Sequence, residues 1–203
     1  MTRSTPWVIG KLNVLGIFVI VLLLAAAASP SSASGADDAK EKEKARADIQ
    51  KMSDATLSRL YKAQPQAKAT IAKAAGYAVF SNFGMKILLA GSGTGKGVAV
   101  SNSTKKKTYM KMIEVQAGLG IGVKKFRLVW VFENQKDLDA FINSGWELGG
   151  QTTAAAQASG QGAAFAGAMS VAPGIWLYQL TDDGLALELT AKGTKYYKDS
   201  DLN

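Results

Sequence analysis

The sequence predicts an α+β fold: a curved, mostly antiparallel sheet or a partly open barrel, with N-terminal helices and one later helix packed on it. Three observations carry this expectation. Between Gly76 and Phe132, three apolar, alternating runs (Met85–Ser92, Gly97–Ser101 and Tyr109–Phe132) are separated by clusters of Gly, Ser, Asn, Thr and Lys, the pattern of consecutive antiparallel strands. Ahead of them, two stretches carry apolar residues at helical spacing. Behind them, one more helical stretch precedes two apolar runs joined by Thr181-Asp-Asp-Gly184, a turn sequence.

Composition narrows the chemistry before any motif is read. With 203 residues and no Cys, disulfides, a thiol nucleophile and a Cys-ligated zinc site are excluded. With no His, the commonest general base and the commonest transition-metal ligand are missing too. Carboxylate pairs, a Ser-Lys pair or a cofactor site remain as catalytic designs; the chain is not expected to be an enzyme, and no cofactor is expected. Net charge is +8 from 24 basic and 16 acidic side chains. Removing Arg3 and Lys11 with an export segment leaves 22 basic against 16 acidic, so anionic partners are favoured.

Residues 1–36 read as a secretory signal. Arg3 and Lys11 form a positive start, Val14–Ala28 is an apolar run of 15 residues, Pro30 ends it, and small residues follow up to Ala36. The run is short for a spanning helix, which needs about 20 residues. Cleavage between Ser34 and Ala36 is the expectation, with an uncleaved anchor through residues 12–28 as the alternative. Either way the folded part is expected outside the cytoplasm, in the periplasm. Residues 37–54 then read as a charged helical tether and 55–203 as the binding domain.

Asp37–Ala63 has an acidic start and a stripe of Ile49, Met52, Leu57, Leu60 and Tyr61, which predicts a helix, with a break near Ser53–Asp54 where a new turn would be capped. Pro65 suits the first turn of a second helix, Gln66–Ala75, with Gly76 as the residue just past its end. Tyr77–Phe80 then runs extended into the sheet. Gly91-Ser-Gly-Thr-Gly-Lys-Gly97 looks at first like a phosphate loop. Ala90 and Gly97 stand where the Walker pattern needs Gly and Ser or Thr, and Lys96 stands where a dinucleotide loop needs its third Gly. It therefore reads as a flexible hairpin turn with Lys96 at its tip.

Lys105, Lys106 and Lys107 fall in the next expected loop, either a solvated loop or an anchor for phosphates. Gly118, Gly120 and Gly122 alternate with apolar residues, so one face of that strand is bare backbone. Close packing or a sharp bend explains this; a groove for an acyl chain is the functional alternative. Lys124, Lys125 and Arg127 form a second basic group, with Lys125 and Arg127 on one face. Leu128–Phe132 reads as a buried strand. Asn134 caps a helix over Gln135–Asn143, Gly145 follows it, and Leu138, Phe141 and Ile142 face the core. Trp146–Gly150 re-enters extended. Gln151–Gly174, rich in Ala, Gly, Ser and Gln, is a weak strand and loop or a mobile segment. Ile175–Leu180 and Leu185–Leu189 are strands, and Gly193–Tyr197 is a short closing element.

Taken in order, Leu60-Tyr61 with Pro65, Ala74-Ala-Gly-Tyr-Ala-Val-Phe80, Gly91–Val100, Leu128-Val-Trp-Val-Phe132, Lys136-Asp-Leu-Asp-Ala-Phe141, Trp146 and Gly149 make up a pattern. Ile175, Trp176, Tyr178, the turn at Asp182, Asp183 and Gly184, then Leu185 and Gly193-Thr-Lys-Tyr-Tyr197 complete it. This order resembles the SYLF lipid-binding domain family over about residues 55–200, and its ending is similar to the exported bacterial branch. The resemblance implies binding of membrane lipid, often phosphoinositides. Some eukaryotic members also bind and bundle actin, through extra segments for which no counterpart is expected here.

The expected function is thus an exported, non-catalytic module that recognises anionic membrane lipid through basic loops and an apolar groove. Lys96, Lys105, Lys106, Lys107, Lys125 and Arg127 are the candidate cations, and Gly118, Gly120 and Gly122 the candidate groove. The alternative is a structural or adaptor protein of the cell envelope that binds another protein; nucleic acid is not expected. Three loop lysines at ~1 kcal/mol each give about a hundredfold in affinity, and salt weakens it. A second, apolar contact is therefore needed.

Overall fold

The computed structural model describes residues 31–87, 90–117, 122–148, 165–182, 184–186 and 193–203. Residues 1–30 of the expected signal segment, Gly118, Gly120 and most of Gln151–Gly174 lie outside them; residues 31–36 fall in the first helix. Among the described residues three helices, α1 (Ser31–Ala63), α2 (Gln66–Lys73) and α3 (Gln135–Ser144), accompany nine strands: β1 (Gly76–Ile87), β2 (Ala90–Ser101), β3 (Lys107–Ala117), β4 (Gly122–Phe132), β5 (Trp146–Leu148), β6 (Met169–Ala172), β7 (Ile175–Thr181), β8 (Gly184–Ala186) and β9 (Thr194–Lys198). All strands join one sheet in the order β5-β9-β3-β2-β1-β4-β7-β6, with β8 paired to β7. Every pairing is antiparallel. The expected α+β class holds.

The sheet is strongly curled into a half-barrel. β9 and β4 are separated by three strands, which in a flat sheet would put them about 19 Å apart. Yet the rings of Tyr196 and Trp130 meet at 5.0 Å. Phe80 and Phe141 join them, with Phe80 4.9 Å from Tyr196 and Phe141 5.3 Å from Trp130. α3 supplies Leu138 and Phe141 as the plug of this inner core. Its start is fixed as expected: the Asn134 side chain accepts from the Asp137 amide at 3.0 Å, and Gly145 turns the chain at φ 75°.

The curl depends on a run the sequence reading took for a turn. Gly91–Gly97 is not a hairpin tip; it lies inside β2, in register with β1 on one side and β3 on the other. Gly93, Gly95 and Gly97 present bare backbone to the inner face. A Cβ on Gly97 would collide with the Phe80 ring and the Val79 carbonyl, and one on Gly95 would lie 2.5 Å from Met112 Cγ. The large side chains of β1 and β3 fill the space that these glycines vacate. This is the close approach that strand glycines permit, found here on β2 at Gly95 and Gly97; Gly118 and Gly120 lie outside the described residues.

α1 and α2 cover the outer face. Ile49 packs on Val98 and Val100, while Leu57 and Leu60 pack on Val79, Val129 and Val131. α1 therefore crosses the strands, from β2 towards β4 and β7. It runs unbroken through Ser53–Asp54, and it starts at Ser31, so Asp37 and Asp38 lie outside its first turn. Burial explains the continuity: Ser53 and Thr56 are fully buried against the sheet, and helical geometry is what places them there. α2 ends at Lys73, two residues earlier than expected, and Gly76 is the first residue of β1 rather than a helix terminator. Gly76 is needed because a Cβ there would collide with the Val100 carbonyl and approach Leu138 Cδ2 to 2.6 Å.

Two buried phenols give the fold an alkaline limit. Burial pushes Tyr178 up to about 12 from 10 and raises Tyr196 as well. Between pH 10 and 12 the unfolded chain gives up protons that the native state keeps. Stability present below pH 10 is therefore lost as the pH rises, by about 2–3 kcal/mol at most for Tyr178. Urea midpoints at pH 9 and pH 11.5 should show the drop, and Tyr178→Phe should flatten it. An unchanged slope in that variant contradicts this assignment.

Candidate functional site

Directly opposed residues on neighbouring strands share a face. On the outer face, two rows of such residues are apolar and lie under α1: Val98, Val79, Val129 and Tyr178 form one of them. The next row along the strands changes character. Lys111, Lys96, Ser81 and Arg127 follow one another across β3, β2, β1 and β4, a span of about 14 Å. This strip runs along the flank of α1, and Arg59 of α1 stands at its β4 end.

Between the strip and α1 lies an open cleft of about 700 Å³. Its apolar wall includes Ala45, Ile49 and Met52 from the helix, and Ile113 from the sheet. Ile113 is 42% exposed and is the one large apolar side chain exposed among the described residues. Its charged lining is mixed: Lys44, Lys96 and Lys111 against Glu41 and Asp48. A second pocket of about 240 Å³ adjoins it and shares Ser81. That pocket is lined by Arg59, Lys125 and Arg127, with Asp182 as its single acid.

The cations of the strip differ in how they are compensated. Lys96 and Lys111 are direct cross-strand neighbours, an arrangement that costs stability for like charges. Lys111 is neutralised by Asp199 and Asp201, each at 2.9 Å. Hydrogen bonds to Asp201 and Asp199 raise its pKa, and the Lys111 bond holds the Asp201 carboxyl below its usual range. Among the described residues, Lys96, Arg59 and Arg127 have no carboxylate within ion-pair distance. Arg127 donates to Thr56 Oγ1 at 3.3 Å and Arg59 donates to the Thr181 carbonyl at 2.8 Å, both neutral acceptors.

Three of the candidate cations, Lys96, Lys125 and Arg127, are brought together here. Lys105, Lys106 and Lys107 are not. They are exposed at the β2–β3 connection, and Lys107 lies four residues along β3 from Lys111, about 13 Å away. Gly122 opens β4, opposite Lys86. Arg59, Ser81 and Lys111 were missed by sequence reading. Lys111 carried a signal, a charge alternating with Met110 and Met112; Arg59 and Ser81 carried none that separates them from ordinary surface residues. The hydroxyls of Ser101 and Ser103 lie 3.1 Å apart, but among the described residues no lysine is bonded to either. Nor is any group of three or more acidic side chains there placed to hold a metal ion.

Residues 113–203 match the Ysc84 family, described as "Las17-binding protein actin regulator". The chain is also 37% identical, over 165 residues, to a protein from Aeromonas veronii named Beta cell expansion factor A. The resemblance to SYLF stated above is borne out as a Ysc84 domain match over residues 113–203. The alignment with the relative takes in 80% of this chain and 60% of the relative's length. The family match begins within β3, so it contains Lys125, Arg127 and Tyr178, whereas Arg59, Ser81 and Lys96 precede it. The description is that of a binding and regulatory protein rather than of an enzyme.

Proposed function

We propose that this chain is an exported, non-catalytic module that binds an anionic lipid in the cleft beneath α1. The observation that carries the reading is the adjacency of an apolar wall, ending in exposed Ile113, to a cationic strip that the protein leaves partly unneutralised. An amphiphile needs both surfaces side by side. The cleft is the second contact that lysine charge alone lacks. The division into a signal segment at 1–36, a helical stretch at 37–54 and a binding domain at 55–203 belongs to the same reading, as does a periplasmic location. Among the described residues no helix is long and apolar enough to cross a membrane.

Co-sedimentation tests it. The purified protein should sediment with vesicles containing an anionic phospholipid, release as salt rises, and leave pure phosphatidylcholine vesicles unbound. Lys96→Gln should weaken the anionic binding about fivefold, the loss of one cation near the surface. Equal sedimentation with both vesicle types, or with neither, rejects the reading. A second reading has one observation in its favour: the family's description names a bound protein. A stoichiometric protein partner whose capture is indifferent to lipid and to Lys96→Gln would favour it.

A further inference from the structure

We propose that the pocket bounded by Arg59, Ser81, Lys125 and Arg127 is a phosphate-group site, and that a bound phosphate ties α1 to β4. This rests on the cleft as a ligand site but concerns a separate part of it. The pocket's about 240 Å³ is below the ~300–1,000 Å³ of sites that enclose a drug-sized ligand, so it suits a head group. Its lining carries three cations against Asp182. Guanidinium is the side chain whose fork matches phosphate oxygens, and two of them converge here from different elements.

Among the described residues each guanidinium makes one hydrogen bond, to a neutral acceptor, and has no acid within ion-pair distance. A guanidinium carries five N–H groups, so one such bond leaves capacity for a ligand. The two tethers also fix direction. Arg127 on β4 is pinned to Thr56 of α1, and Arg59 of α1 is pinned to Thr181 at the end of β7. Half-buried like charges brought together in this way repel each other, and a phosphate that accepts from both removes that repulsion. Ser53, one turn before Thr56, has a fully buried hydroxyl with no partner among the described residues. The buried side of α1 from Ser53 to Arg59 therefore sets two hydroxyls, Ser53 and Thr56, beside apolar Leu57, and its docking depends in part on how well those polar groups are satisfied. Occupancy should thus stabilise this half of α1 most.

The test uses the full chain and three probes: inorganic phosphate, a short-chain phosphatidic acid below its micelle concentration, and the phosphatidylcholine of equal chain length. Melting temperature and hydrogen exchange of residues 53–63 are read for the native protein and for Arg59→Gln, Arg127→Gln and Lys107→Gln. Phosphatidic acid should raise the melting temperature and protect 53–63. Either arginine variant should weaken its apparent affinity about tenfold, as expected for losing a charge-assisted hydrogen bond, and Lys107→Gln should not. Arg127→Lys, which keeps the charge and loses the fork, guards against misfolding and should retain an intermediate response. A response to inorganic phosphate at matching concentration identifies free phosphate as the source; a response confined to phosphatidic acid identifies the lipid head group. Stabilisation by phosphate-bearing probes that is unchanged in both arginine variants overturns the proposal, as does no stabilisation by any of them. Vesicle binding that survives in those variants would leave the lipid reading standing without this site. A phosphate response without vesicle binding would do the reverse.

Discussion

Gly97→Val is expected to destabilise the protein by about 3 kcal/mol, although valine is the better strand former. Intrinsic strand preference spans only ~1 kcal/mol and favours the variant. Against it, the new side chain would occupy the position of the Phe80 ring and the Val79 carbonyl, and Phe80 is fully buried among Phe141 and Tyr196. Overpacking of this kind costs about 1–3 kcal/mol, occasionally more, and a ring boxed in on both sides places the site at the upper end. The urea midpoint should fall with little change in slope. Thr94→Val, on the exposed outer side of the same strand, is the control and should be neutral or slightly stabilising. If Gly97→Val is as stable as the parent, the packing of β2 against β1 described above is wrong.

Trp130→Ala should cost more, about 4 kcal/mol. Trp130 is fully buried and touches Phe132, Phe141, Trp146 and Tyr196, with ring separations of 5.0 to 6.4 Å. Its loss removes the ring that connects β4 to β9 across the inside of the curl. Filling the gap requires a strand or α3 to move, because the neighbouring rings are carried by β4, β5, β9 and α3. Denaturant titration measures the loss, and the same variant checks the origin of the curvature. Trp130→Phe should recover most of the stability, because an aromatic body still bridges the two strands. A loss below about 1 kcal/mol for Trp130→Ala would mean that the half-barrel is closed by something other than this aromatic cluster.

Both predictions concern residues whose roles were unequally legible. Trp130 sits in Leu128–Phe132, a run so uniformly apolar that burial followed from the sequence. Gly97 sits in a glycine-rich stretch that, taken alone, favours a turn: glycine weakens strands and supplies turns. The competing fact is nonlocal. Phe80, Met112, Asn82 and Glu114 project from the strands on either side and fill the inner face of β2. Asn82 donates to the buried Glu114 carboxylate, and Gly93 leaves the room for that pair. Nothing between Gly91 and Gly97 announces these neighbours.

The cleft has the same history. Lys96, Lys125 and Arg127 stood out as charges. Their union with Arg59, Ser81 and Lys111 comes from three strand registers and the crossing direction of α1. Lys105, Lys106 and Lys107 formed the densest charge run in this part of the sequence, yet they lie at the far end of the strands from that strip.

By itself the sequence determined the fold class, the capped helix α3, the apolar strands that form the core, and a chemistry without cysteine or histidine. Each is a property of residue type or of spacing within one segment. Only the tertiary structure decided that the glycine run is a strand, that α1 is continuous, and that cations from α1, β2, β3 and β4 line two adjoining pockets. Those features arise from pairing between segments distant in the chain, and the periodicity of a single segment carries no record of its partners.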